Sequence, residues 1–273
     1  MGTYRKDPLI PKTAGLVIGL ILIVEFIISF GAHFIYRRID VFYNGNLREF
    51  LISGFITLFS LIDFLIVFWI FKQVRQKAKL PVHFLDPLLP SSAKLKDKKF
   101  LLLVFWYIIT FLLLIIFKNG MLKSVITRLM ARLPAYLTIG ISEEFTFRVV
   151  FFMLIYTALS AQSNKSGRCK RLISGIILTN ILFALVHIPG DLLRGDPVNP
   201  SRYGIIFLIG MFLSAVLLIT ENFWIAALFH AVADIYGNVL APYVSPVFTG
   251  IILFLPVIIL ITGSIFIKRK LNL

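Results

Sequence analysis

Long, unbroken apolar runs separated by short basic or proline-bearing stretches dominate the chain. About eight of them reach the roughly 20 residues that a helix needs to cross a bilayer: 14–36, 50–71, 100–117, 135–158, 172–188, 203–220, 224–240 and 247–267. Phe, Ile and Leu follow one another in these runs without the alternation of an outer-membrane barrel strand. Lipid cannot satisfy an open sheet edge, so each run is predicted to be a helix. The seventh run carries polar residues of its own. The stretch 118–132 differs from the rest. Met121, Leu122, Val125, Ile126, Leu129 and Met130 recur there at helical spacing against Lys123, Arg128 and Arg132. That pattern predicts an interfacial amphipathic helix. The predicted fold is all-α: one integral-membrane domain over 1–273, built as a bundle of about eight transmembrane helices plus the interfacial helix.

Composition agrees. Hydrophobic residues make up 59% of the chain, charged residues 15%, and the mean hydropathy is +0.92. A soluble domain lies near 45–50% and about 25%, respectively. The 28 Lys and Arg against 13 Asp and Glu give +15, which in a soluble protein would point to nucleic acid. Here the basic residues flank the apolar runs, where they meet anionic lipid, so the bilayer is the partner and nucleic acid is not. With the N-terminus inside, the cytoplasmic segments carry about twice as many Lys and Arg as the opposite side. Both termini are therefore expected in the cytoplasm, although the basic stretch 118–132 opposes that assignment. The connector 72–99, with Pro81, Pro87, Pro90 and a surface His83, is predicted to be a loop. Cys169, the single cysteine, lies in a basic loop and forms no internal disulfide. Lys6 stands where a myristoylation signal after Gly2 requires Ser or Thr. The first run is too long for a cleaved signal peptide. Gly15 and Gly19 are spaced for close helix contact.

Charged side chains at membrane depth cost at least ~2.5–3.5 kcal/mol each and need a reason to be there. Glu25, His33, Asp63, Glu143, Glu144, Arg148, His187, His230 and Asp234 are such residues. Glu25, His33 and Asp63 fit a structural pairing between the first two spans. The other six form three patterns on three spans. In the first, Glu144 and Arg148 are an i,i+4 pair in the favoured order, so Arg148 neutralises Glu144. Glu143 points about 100° away and is left without that partner. Desolvation makes such a carboxylate a better base at neutral pH. In the second, Phe183 precedes His187 by one turn, and Asn180 lies one turn earlier, with Pro189 and Gly190 closing the span. In the third, His230 and Asp234 share a face one turn apart, with Asn238 a further turn on. An acid so placed accepts from one imidazole nitrogen and sets the tautomer. Taken singly, each pattern also fits helix packing.

Taken together, EExxxR, FxxxH and HxxxD, each on its own span, resemble the CAAX-protease and bacteriocin-processing family, which includes the Rce1-type prenyl proteases. The resemblance covers roughly 135–240, expected to be the catalytic core. It implies an eight-helix bundle with a polar cavity open toward the cytosol, and a glutamate-dependent intramembrane endopeptidase needing no cofactor. On that resemblance Glu143 activates water and His187 helps hold it. Glu144, Arg148, Asn180 and Phe183 support the site, and His230 and Asp234 line the oxyanion side. The substrate it implies is a membrane-associated peptide or protein, a prenylated C-terminal CAAX segment being the best-known case. The prenyl-protease branch has Asn at the last motif position, where this chain has Asp234.

The residues leave other chemistries open. No G-x-S-x-G elbow and no H-E-x-x-H occur, and Ser142 and Cys169 stand outside any nucleophile motif. Glu143, His187 and His230 could instead hold zinc with an open position. A non-catalytic membrane binder or immunity protein and a proton-coupled transporter are the readings from other classes. Complete motifs argue against the first, and the lack of paired broken helices argues against the second.

Overall fold

The structure, a computed structural model, describes residues 9–43, 45–78, 89–117, 122–162, 167–240 and 245–270. Among these residues the chain is helical: α1 (Leu9–Phe42), α2 (Gly45–Ala78), a short α3 (Ser92–Leu95), α4 (Lys98–Phe117), α5 (Leu122–Glu144), α6 (Phe152–Gln162), α7 (Arg168–Leu185), α8 (His187–Arg194), α9 (Pro200–Thr220), α10 (Phe223–Ile235) and α11 (Pro246–Lys270). Two π-helical segments interrupt this order, Phe145–Phe151 between α5 and α6 and Tyr236–Leu240 after α10. Each of the eight apolar runs lies on helix. Among the described residues five helical stretches are long and apolar enough to cross a membrane: Lys12–Ile39, Gly45–Gln76, Val125–Ala161, Arg168–Arg194 and Pro200–Thr220. Phe223–Val239 and Gly250–Gly263 are shorter apolar helices. The protein is an integral-membrane helical bundle.

The amphipathic stretch is not a separate interfacial helix. Its described part is the first half of α5, which runs on without a break through Pro134 into the span. Residues 118–121, His83 with most of the prolines of the connector, and the Gly2/Lys6 region lie outside the described residues. Cys169 is exposed in the first turn of α7 rather than in a loop. Within 4 Å of a Cβ at Gly15 or Gly19 there is nothing, so this pair makes no close contact among the described residues.

α5 and the π segment after it form the buried axis. α2 and α10 pack on α5, α1 packs on α2 and α6, and α7 packs on α6 and α9. Phe145, the first residue of the π segment, locks it to α2, its ring 5.1–5.9 Å from those of Phe64, Phe68 and Phe71. By contrast Leu16, Ile27, Trp69, Phe105 and Leu208 are exposed on the rim helices. So much outward apolar surface is untenable in water and natural against lipid.

The close approach of α5 to α10 depends on Gly140. A Cβ there would stand 2.8 Å from the Ala227 carbonyl oxygen and 3.1 Å from the Ala231 nitrogen. With only hydrogen at this position the two backbones touch, and the paired glutamates one turn on are brought beside His230.

Candidate active site

The first pattern straddles a change in helix type. Glu143 and Glu144 end α5, and Arg148 sits within the π segment, all seven residues of which are buried. A π segment inside a helix re-aims the side chains around it and recurs at functional sites. Glu144 is 0% exposed, with Oε2 3.4 Å from Arg148 Nε. The expected i,i+4 ion pair is therefore present.

Glu144 has a second partner that the sequence did not assign to it. His230 Nδ1 lies 2.9 Å from Glu144 Oε1. Nδ1 donates to this carboxylate, which fixes the ring and turns Nε2 toward Glu143. Glu143 Oε2 is 3.6 Å from Nε2, and Asp234 Oδ2 is 3.9 Å away, beyond hydrogen-bonding distance. The acid that orients His230 is thus Glu144, and Asp234 stands at the ring's outer edge. The i,i+4 pair on α10 is real but looser than the contact across to α5, because Glu144 is fully buried and pinned by Arg148.

Phe183 packs at the centre of this group. The Arg148 guanidinium lies over its ring at 4.0 Å. Phe147, His187 and His230 meet the ring edge-on, at centroid distances of 5.2, 5.0 and 6.0 Å. A desolvated cation–π contact of this kind contributes ~2 kcal/mol, so Phe183 holds both histidines and the arginine in register. His187 is not the end of the span but the first residue of α8, after α7 stops at Leu185. Its Nδ1 donates to the Phe183 carbonyl at 2.7 Å, which leaves Nε2 as an acceptor. Asn180 does not reach the histidines. It ties α7 to α9, donating to Ser214 Oγ at 2.9 Å, and Gly210 leaves room for it.

Sequence reasoning overlooked Asp191. It is 1% exposed, accepts from Tyr203 Oη at 2.9 Å, and pairs with Arg202 at 3.1 Å and with Arg194. These contacts fasten the short α8 to α9 and so hold the turn that carries His187. The spacing His-Ile-Pro-Gly-Asp was the available signal, masked by the polar loop that follows.

Glu143 opens onto a cavity of about 610 Å³. Its walls include Ser142 and Glu143 from α5, Asn238 from the second π segment, and Arg194 and Arg202 from α8 and α9. They also include Glu25, His33 and Asp63. The polar residues of the first two spans therefore face the same space as Glu143 rather than only one another. Among the described residues no three His, Cys, Asp or Glu side chains converge as a metal site.

Residues 101–236 match the family model of the type II CAAX prenyl endopeptidase Rce1-like proteins. This half of the chain belongs to that family. All three motif patterns fall inside the match, which begins earlier than the motifs and takes in most of α4. The Rce1-like family is one of proteases, and membership implies a membrane-associated protein substrate. No curated protein and no solved structure matches the chain.

Proposed function

We propose that this Rce1-like protein is an intramembrane endopeptidase in which Glu143 activates the attacking water. The observation that carries the reading is the position of Glu143: its carboxylate lines the large cavity and faces the imidazole nitrogen of a histidine whose other nitrogen is held by buried Glu144. A carboxylate open to solvent on one side and to an oriented imidazole on the other is arranged for general base catalysis.

In this mechanism Glu143 takes a proton from a water that also donates to His187 Nε2. The hydroxide oxygen bonds to the scissile carbonyl carbon, and the carbonyl electron pair moves onto oxygen. His230, as an imidazolium between Glu144 and the cavity, donates Nε2–H to that oxyanion. When the C–N bond breaks, Glu143 passes its proton to the leaving amine. Glu144, Arg148 and Phe183 hold His230 in place, and Asp191 holds the turn bearing His187. No metal takes part in these steps. Asp234, at the edge of the His230 ring, adjusts the site without making the orienting bond. The basic-residue bias puts both termini on the cytoplasmic side in this reading.

The test is Glu143→Gln. The amide keeps the volume but accepts no proton, so cleavage is abolished while the detergent-extracted protein stays folded. Mass spectrometry of membrane peptides from cells carrying either form would reveal the natural substrate. Wild-type turnover by the purified Gln variant, or activity lost on chelation and restored by zinc, would overturn the proposal.

A further inference from the structure

Two acids of the first half of the chain take no part in this mechanism, yet both face the catalytic cavity. Asp63, near the middle of α2, is 5% exposed. Its Oδ2 accepts from Ser142 Oγ at 2.5 Å, beside Glu143, while its Oδ1 is buried with no hydrogen-bond partner. Glu25, on α1, is a close neighbour of Asp63 on the same cavity, and its Oε1 is likewise buried without a hydrogen-bond partner. Among the described residues no Lys or Arg forms an ion pair with either acid. The arginines on the same cavity are committed elsewhere, Arg132 to Glu49, Arg194 to Asp191 and Asp196, and Arg202 to Asp191.

Two adjoining carboxyls at membrane depth without a cation are costly, and a purely structural pair would be expected to close on a basic partner. Here the two acids line a space of about 610 Å³, large enough for a peptide segment with its side chains. A group that supplies only donors and a positive charge satisfies both acids at once. Lysine ammonium and arginine guanidinium are such groups. An aliphatic side chain would leave Asp63 Oδ1 and Glu25 Oε1 without a donor.

We propose that Glu25 and Asp63 form a substrate subsite that selects a lysine or arginine side chain next to the scissile bond. The subsite rests on the peptidase reading of Glu143 for its purpose, but its binding chemistry is separately measurable. The probe is a set of palmitoylated peptides in liposomes, identical except that Lys, norleucine or Glu is moved through each position. Binding is measured to the Glu143→Gln protein, and cleavage with the wild type.

At one position Lys should bind and be cleaved about 10- to 100-fold better than norleucine, the range of a charge-assisted hydrogen bond. Asp63→Asn, which keeps an acceptor for Ser142, should erase that preference. Glu25→Gln, which leaves the Ser142 contact untouched, should weaken it as well. Equal affinity and cleavage for Lys and norleucine at every position would overturn the subsite while leaving the peptidase reading intact. A preference surviving both substitutions would also overturn it, because another group would then read the charge. Lys-dependent binding with no peptide cleaved would uphold the subsite and sink the peptidase reading.

Discussion

Replacing Gly140 by alanine adds one methyl where α5 and α10 touch. That methyl would stand 2.8 Å from the Ala227 carbonyl oxygen, whereas ordinary contact begins at 3.4 Å. The two nearest obstacles, Ala227 O and Ala231 N, are backbone atoms, and the third is the fixed Cβ of Ala231, so no side chain can swing aside. The helices must separate by roughly 0.6 Å at this level, a repulsion that the steep wall of the van der Waals potential enforces. Overpacking of this kind costs ~1–3 kcal/mol. Glu143 follows Gly140 by three residues and His230 precedes Ala231, so the same displacement widens the 3.6 Å gap between Glu143 and His230. A misplacement of ~1 Å can cost 10²-fold in rate, so a loss of about tenfold in kcat is expected here. Gly204→Ala is the control, since nothing lies within 4 Å of a Cβ at that exposed position on α9. The assay is thermal melting in detergent together with peptide turnover for both variants. If Gly140→Ala melts and turns over like Gly204→Ala, the close α5–α10 contact does not set the site geometry and the reasoning fails.

Glu144→Gln should lower both stability and activity, because it strips Arg148 of its ion pair and His230 of its carboxylate. Breaking a buried pair from one side costs ~3–5 kcal/mol, readable as a large fall in Tm. Asp234→Asn should be milder in both respects, since its carboxylate sits 3.9 Å from His230 and makes no orienting bond. A larger activity loss for Asp234→Asn than for Glu144→Gln would reverse this ranking. Gly210→Ala should disturb the site from behind: its Cβ would fall 2.4 Å from Asn180 Oδ1 and 3.1 Å from both Arg148 Nη2 and Phe183 Cδ1. Lower Tm and slower turnover together are expected, and an unchanged melt would show that α7 and α9 have slack there.

The sequence by itself determined the membrane, the helices and most of the candidate site residues. Apolar runs near 20 residues can satisfy their backbones in lipid only as helices, which is a local requirement readable without tertiary contacts. Glu143, Glu144, Arg148, His187 and His230 stood out because charge and imidazole at that depth are expensive unless used. Periodicity along one helix also foresaw the Glu144–Arg148 pair, which lies on a single face. It named Asp234 as the partner of His230, a pair that is present at 3.9 Å, but missed the shorter 2.9 Å contact from Glu144, which comes from α5 across a glycine interface. It likewise read the amphipathic half of α5 as a separate element, since polar residues facing other helices look the same in sequence as polar residues facing headgroups. The gathering of Glu25, His33 and Asp63 around the cavity of Glu143 was decided only by tertiary structure. A helix pattern says which side chains share a face, but not which helix that face will meet, and that choice depends on side-chain size at contacts such as Gly140.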